Sequence, residues 1–194
     1  MATKQNVLEQ GLTRAEVQAL RNKRTGLLIF QISWIMAFIC LIFVNMQLRS
    51  QSEAWPPEGV EKLTPVLPTL MTVALIVSSF FARRAVKAIK ADDVAAFLKN
   101  WRYVIGLGGA FVLVMGAEWL FVPVSGQYSN VFRLLVGFHG VHALAIGGYL
   151  WWVYRGGLAG TYNRINFWPV EGGAGLWHFV TIAWVLFYIV LYVV

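Results

Sequence analysis

Residues 27–48 read LLIFQISWIMAFICLIFVNMQL and contain no charged side chain. A helix needs roughly 20 mainly apolar residues to cross the hydrocarbon core of a membrane, so this stretch is predicted to be a transmembrane helix. Four more stretches of this kind lie at residues 66–82, 103–122, 132–154 and 174–194. None of them alternates polar and apolar residues as a barrel strand does. The sequence therefore predicts an all-α polytopic membrane protein, with one bundle of five transmembrane helices in residues 26–194.

The composition of the chain agrees with this fold class. Of the 194 residues, 58% are hydrophobic and 13% are charged, whereas soluble domains carry about 25% charged residues. The net charge of +7 falls in short segments between the apolar stretches, which indicates a topology signal and no nucleic-acid partner. Cys40 is the single cysteine and lies in the first apolar stretch. A disulfide framework and a cysteine metal site are therefore excluded.

The positions of the Lys and Arg residues predict the orientation in the membrane. Thirteen of the 16 lie in the N-terminal tail, the second connection or the fourth connection, and the other three lie on the opposite side. Cytoplasmic segments carry an excess of these residues. The N-terminus is therefore predicted to be cytoplasmic and the C-terminus to be outside, and an odd number of spans requires the same arrangement.

Residues 1–25 form a cytoplasmic tail with a helix signal of its own. Residues 13–16, TRAE, match a capping box, in which the Thr13 hydroxyl and the Glu16 carboxylate satisfy free backbone N–H groups. We expect a short amphipathic helix on the membrane surface here; a disordered basic tail is the alternative. No small-residue cleavage site follows the first apolar stretch, so no cleavable signal peptide is expected.

Ionisable residues inside the predicted helices are candidates for function, because they are costly in lipid and face the protein interior. Glu118 lies near the outer end of the third span, and His139 and His142 share one face of the fourth. We expect a buried polar network of Glu118, His139 and His142, with a His139–Glu118 hydrogen bond between helices three and four. The alternative is a metal or heme site. His178 lies roughly 10 Å nearer the cytoplasm, so neither a metal site nor a catalytic residue is predicted.

Several further segments follow one another in a recognisable order. They are GLLIFQISWIM at 26–36, WPPEG at 55–59 with Pro65 and Pro68 after it, the helix from Gly108 to Glu118-Trp119, GFHGVH at 137–142, Val170-Glu171, and WHFV at 177–180 with Trp184. Together they resemble subunit III of the heme–copper oxidases over nearly the whole chain from Gly26. Five helices match the shorter bacterial form of that family, which lacks the first two helices of the longer form.

The resemblance implies a non-catalytic subunit of a respiratory heme–copper terminal oxidase, either a cytochrome c oxidase or a quinol oxidase, in the bacterial cytoplasmic membrane. Its partners would be the catalytic subunit I, subunit II and other oxidase subunits. No cofactor is expected in this chain, because an oxidase core needs more histidines than the three present here. Heme and copper would belong to the partner subunits. The family also implies phospholipid bound in a cleft and support for proton uptake by the catalytic subunit.

Four residues near the inner end of the fifth span are predicted to bind this lipid. Arg164 and His178 can donate hydrogen bonds to a phosphate, Trp177 favours the depth of the headgroups, and Glu171 lies at the same level. We therefore expect ordered phospholipid at these residues. Packing of the end of helix five is the alternative.

The sequence departs from the family at three positions. Trp34 stands where the family has a Glu in the middle of the opening helix, Met115 replaces a Gln, and Thr181 replaces an Asp. Because an indole cannot accept a proton, the first helix is expected to carry no proton.

Two other functions stay open at this point. A related protein associated with nitric oxide reductases shares the fold, although the strings at 138–142 and 177–180 favour the oxidase version. A small membrane transporter is the other alternative. Transporters usually have internal repeats and broken helices, and the sequence shows neither.

Overall fold

The computed structural model describes residues 12–58, 64–121 and 126–193. These residues form no strand, and they form five helices that are long and apolar enough to cross a membrane. The helices are α1 (Arg14–Ser50), α2 (Val66–Lys90), α3 (Val94–Phe121), α4 (Gly126–Leu158) and α5 (Trp168–Tyr188), and α5 continues into a π-helical turn (Ile189–Val193). The predicted all-α bundle of five transmembrane helices is confirmed. The orientation in the membrane stays a prediction.

The helices extend past the predicted spans mainly at one end of the bundle. There α2 continues to Lys90, α3 begins at Val94 and α4 continues to Leu158. The added turns carry Lys and Arg, whose long side chains can leave the hydrocarbon while their stems stay on apolar surface. We call this end, with the N-terminus of α1 and the loops 91–93 and 159–167, the basic end.

Helix α1 runs without a break for 37 residues. Its capping box is formed as predicted: the Thr13 amide donates to Glu16 at 2.7 Å, and the Glu16 amide donates to the Thr13 hydroxyl at 3.3 Å. The helix predicted in the tail is the first part of α1 and continues into the first span without a break; its position at the membrane surface stays a prediction. No proline interrupts the chain there, and a single glycine such as Gly26 costs a helix only about 1 kcal/mol. Residues 1–11 of the predicted tail lie outside the described residues.

Helix α5 occupies the centre of the bundle and packs on α1, α2 and α4, while α2 and α3 form a long antiparallel hairpin. The turn of that hairpin contains Asp92 with a φ of 62°, a conformation that Asp tolerates better than most residues. The Asp92 carboxylate accepts a hydrogen bond from the Arg164 backbone N–H at 3.3 Å. This bond brings the two loops of the basic end together.

Helix α1 lies at the edge of the bundle and contacts it through a narrow stripe. The residues of this stripe recur every seven positions: Arg24, Gln31, Phe38 and Asn45. Gln31 donates to the Gly175 carbonyl at 2.9 Å, and Phe38 and Asn45 are 2% and 1% exposed. A seven-residue repeat is typical of helices that cross at a shallow angle. The rest of the α1 surface is largely exposed in the chain alone.

Candidate functional site

Glu118 lies three residues before the end of α3, at the end of the bundle opposite the basic end. Its Oε1 accepts a hydrogen bond from the Tyr192 hydroxyl at 3.3 Å, and its Oε2 is buried without a partner among the described residues. The predicted hydrogen bond to His139 is therefore wrong. Glu118 joins α3 to the last turn after α5, whereas the expected network would have joined α3 to α4.

His139 is packed among aromatic rings in the centre of the bundle. It is 1% exposed, and its ring lies 5.3 Å from that of Trp184 and 5.8 Å from that of Phe111. Neither ring nitrogen has a hydrogen-bond partner within the described ranges. His139 therefore acts in this structure as a packing residue between α3, α4 and α5.

His142 and Trp34 meet where α1 packs on α4. Their ring centroids are 4.8 Å apart, and Phe179 of α5 lies 5.3 Å from the His142 ring on another side. The His142 Nε2 has no partner in the part of the chain that the structure describes. An apolar cavity of about 310 Å³ adjoins both residues. The indole of Trp34 thus lies beside the unsatisfied imidazole, at the position where the resemblance places a carboxylic acid.

Glycines on α3 and α4 leave a lateral opening between these helices. A cleft of about 480 Å³ is bordered by Gly108, Gly109 and Gly147, and a Cβ added at Gly109 or Gly147 would meet nothing within 4 Å. An adjoining cleft of about 240 Å³ reaches His139. The linings of both clefts are almost entirely apolar, so the two clefts suit acyl chains and not a charged ligand.

Glu171 is the centre of an ion cluster at the basic end. Its carboxylate accepts from Lys90 Nζ at 2.8 Å and from Arg24 Nη2 at 3.1 Å. The Glu171 side chain is 24% exposed. The cluster fastens the first turns of α5 to the last turn of α2 and to α1, which has few other polar contacts with the bundle.

The four residues predicted to bind lipid do not lie together. Trp177 is 2% exposed and donates from Nε1 to the Ser78 hydroxyl at 2.8 Å, so its indole points into the bundle and not toward a lipid. His178 Nδ1 and Ser79 Oγ form a second hydrogen bond between α5 and α2. Arg164 is exposed in the 159–167 loop. Glu171 is occupied by the ion cluster.

The described residues contain no group of three or more His, Cys, Asp or Glu side chains that could hold a metal ion. The three histidines lie at different levels, and two of them are enclosed by aromatic rings.

Sequence comparison decides the family. The family profile described as cytochrome c oxidase subunit III matches residues 5–194. The chain belongs to this family. Its relatives include the following three, each named cytochrome c oxidase subunit 3. The relative from Thermostichus vulcanus is 34% identical to this subunit III family member over 175 residues, which cover 87% of the chain and 85% of the relative.

The other two relatives of this family member are more distant. The one from a Synechocystis species is 30% identical over 174 residues, covering 86% of the chain and 73% of the relative. The one from Bos taurus is 28% identical over 178 residues, covering 87% and 68%.

Indole N–H groups bind helices of this family member together, and sequence analysis missed this role. Two of them join α5 to α2: Trp177 donates to Ser78, and Trp184 donates to Thr72 at 2.8 Å. Trp101 joins α3 to α4 through the Leu150 carbonyl at 2.9 Å. The signal in the sequence was the seven-residue spacing of the two tryptophans in α5, which places them on one face opposite small hydroxyl residues of α2.

We predict that Glu171→Gln destabilises the subunit by about 1.5–3 kcal/mol, the range for hydrogen bonds to charged groups. The amide cannot neutralise Lys90 and Arg24, which would then repel each other. Unfolding by SDS in mild detergent measures the loss. Glu53→Gln is the matched control, since Glu53 is exposed and forms no ion pair in the described residues. An equal effect of both substitutions would contradict the role of the cluster.

We predict energetic coupling between Glu118 and Tyr192 and none between Glu118 and His139. A double-mutant cycle of Glu118→Gln with Tyr192→Phe is expected to give a coupling of about 0.6 kcal/mol, the average for hydrogen bonds between membrane helices. The cycle of Glu118→Gln with His139→Phe serves as the comparison and is expected to be additive. Coupling in the second cycle alone would restore the network predicted from the sequence.

Proposed function

We propose that this protein is a non-catalytic core subunit of a respiratory heme–copper terminal oxidase in the cytoplasmic membrane of a bacterium. It packs against the catalytic subunit I and assembles with subunit II and other oxidase subunits. Its basic end faces the cytoplasm, as the positions of Lys and Arg favour. In the complex it stabilises the catalytic subunit and supports its proton uptake.

The observation that carries this proposal is the family match over residues 5–194, together with five helices of membrane-spanning length. The relatives named above are called cytochrome c oxidase subunit 3, which favours the oxidase over the protein associated with nitric oxide reductases and over a transporter.

Heme and copper belong to the partner subunits in this proposal. The chain contains three histidines. His139 and His142 lie among the rings of Phe38, Phe111 and Trp34, and the described residues contain no metal-ligand cluster. These residues do not fit a heme or copper centre, so the reaction is assigned entirely to the partners.

Phospholipid is proposed to occupy the lateral clefts. The apolar openings between α3 and α4, and the one beside Trp34, face outward from the bundle at the depth of the hydrocarbon. Acyl chains match such linings because they can fill an apolar opening by van der Waals packing and leave no polar group unsatisfied. The predicted lipid contact of Arg164 would be made from the loop at the basic end.

The proposed function predicts that the purified subunit alone shows no Soret band and no stoichiometric copper. When the same chain is used as bait in a mild-detergent extract of membranes, the captured complex is expected to contain an oxidase catalytic subunit, identified by mass spectrometry. It is also expected to show heme absorption. A Soret band that follows the isolated subunit, or a pull-down without any heme–copper oxidase subunit, would overturn the proposal.

A further inference from the structure

A second kind of groove lies between α2 and α5, away from the apolar clefts. It has a volume of about 430 Å³ and opens sideways toward the surrounding membrane. Its polar residues are Ser79, Arg83, His178 and Thr181, and its apolar walls include Ile76 and Ile182. The apolar clefts use none of these polar groups, and His178 is the one among them that was predicted from the sequence to contact lipid.

The polar groups form an arrangement that can donate several hydrogen bonds. Ser79 Oγ and His178 Nδ1 are hydrogen-bonded to each other. When the Ser79 hydroxyl donates to Nδ1, the ring hydrogen lies on Nε2, which can then donate to a ligand. The Thr181 hydroxyl is already bonded to the Trp177 carbonyl at 3.0 Å. The donors left for a ligand are therefore the His178 ring and the guanidinium of Arg83.

The charge of the groove is unbalanced. Arg83 is exposed, and it takes part in neither of the ion pairs seen in the described residues, which both involve Glu171. None of the residues that line the groove is acidic. The neighbouring Arg84 differs, because its guanidinium lies 4.8 Å from the centre of the Phe80 ring. A ligand of the groove is thus expected to be negatively charged. It should carry no positively charged group, because the groove has no carboxylate to pair with one.

The depth and the walls of the groove favour a lipid over a free anion. Arg83 lies seven residues before the end of α2, about 10 Å from the basic end. On the other side of the polar groups, Ile182, Leu186 and Ile189 continue along one exposed face of α5. A hydrogen bond between Thr69 and Tyr188 at 2.7 Å joins α2 and α5 farther along. A molecule in the groove would therefore have its anionic part at Arg83 and an acyl chain along α5.

We infer that the α2–α5 groove is a binding site for an anionic glycerophospholipid, with Arg83 and His178 donating to its phosphate. This deepens the proposed lipid-holding role and rests on that part of the proposed function, but not on assembly with an oxidase. The site differs in position and chemistry from the apolar clefts between α3 and α4, whose linings contain no Arg, Lys, Asp or Glu.

The test is a lipid titration of the full-length chain, purified in detergent and delipidated, followed by native mass spectrometry. Phosphatidylglycerol is expected to bind roughly tenfold more tightly than phosphatidylcholine. Both lipids offer a phosphate, but the choline group would bring a positive charge close to Arg83, and the groove has no acidic residue to pair with it. Arg83→Gln is expected to remove this preference. Arg84→Gln is the matched control, since it removes the same charge at nearly the same depth and Arg84 is not among the residues that line the groove, and the preference should persist.

Thr181→Asp gives a second variant, which places a carboxylate among the groove residues where it can pair with Arg83. It too is expected to abolish the preference for phosphatidylglycerol. Inorganic phosphate at millimolar concentration is expected not to compete; effective competition would show a free-anion site and overturn the lipid assignment. An equal loss of the phosphatidylglycerol preference in the Arg83→Gln and Arg84→Gln variants would show that only the net charge matters. That result would also overturn the proposed site.

The same two arginine variants, purified within the intact complex, show whether Arg83 binds a lipid or a protein partner. Co-purification of the oxidase subunits is expected to be unchanged in Arg83→Gln while bound phosphatidylglycerol falls. Loss of a partner subunit from Arg83→Gln, with no change in lipid, would assign Arg83 to a carboxylate of that partner. Failure of co-purification in the wild-type chain would contradict the proposed oxidase role and leave the lipid titration of the isolated chain intact.

Discussion

Gly108→Ala is expected to lower the free energy of unfolding of the subunit by about 1–3 kcal/mol, the usual cost of overpacking a core. A Cβ at Gly108 would lie 2.5 Å from the Trp177 ring. That ring is 2% exposed and is held by its hydrogen bond to Ser78. It cannot move away without losing this bond between α5 and α2. Unfolding by SDS in mild detergent measures the change.

The matched control for this substitution is its neighbour in sequence. Gly109 is on the same helix, but a Cβ added there meets nothing within 4 Å. Gly109→Ala is therefore expected to be neutral or slightly stabilising, because alanine favours the helix over glycine by about 1 kcal/mol. Equal destabilisation by both substitutions would show that helix flexibility, and not the fit of Trp177, is what glycine provides in α3.

Carbodiimide treatment of membranes is expected to leave the membrane-spanning part of α1, residues 25–49, unlabelled. The reagent attacks protonated carboxyl groups, and residues 25–49, the peptide that trypsin releases, contain no Asp or Glu. Trp34 stands where the family resemblance places the acid. Glu118 is the remaining carboxyl within a span, and it lies at the opposite end from the basic end. Peptide mapping of labelled membranes by mass spectrometry measures the result.

Trp34→Glu is expected to change this outcome, so that most molecules of the peptide 25–49 carry the carbodiimide label. The new carboxyl would lie beside the unsatisfied His142 Nε2 and the cavity of about 310 Å³. Apolar surroundings disfavour its charged form, so the reactive protonated form predominates. Trp34→Gln is the control with the same loss of ring and no carboxyl. Label on the wild-type peptide, or none on the Glu variant, would contradict this account of the position.

The number of helices and their approximate places could be predicted from the sequence because the hydrocarbon thickness imposes one length on every span. The ends of the helices could not be predicted in this way. At the basic end α2 continues through the charged turns from Arg83 to Lys90, because a helix does not have to stop where the lipid stops. For the same reason the helix predicted in the tail continues into the first span.

The partners of polar residues were harder to predict than the helices. Equal depth made His139 a reasonable partner for Glu118, but depth does not specify the direction in which a side chain points around its helix. The structure turns Glu118 toward Tyr192 and His139 toward Trp184. Trp177 was assigned to the headgroups because tryptophan is common at that depth. Its ring is buried in the bundle because Gly108 has no side chain to occupy the same space, and the preference of tryptophan for the headgroups does not predict such a fit.

The seven-residue stripe of α1 fixes the rotational phase of that helix. Arg24 and Gln31 supply polar contacts to α5, while Phe38 supplies an aromatic one farther along. One residue inserted between Gln31 and Phe38 would turn the two halves of the stripe by about 100° relative to each other. The helix could then dock through its polar half or its aromatic half, but not through both. Changes in the length of α1 are therefore expected to be tolerated only at its two ends, beyond Arg24 and Asn45.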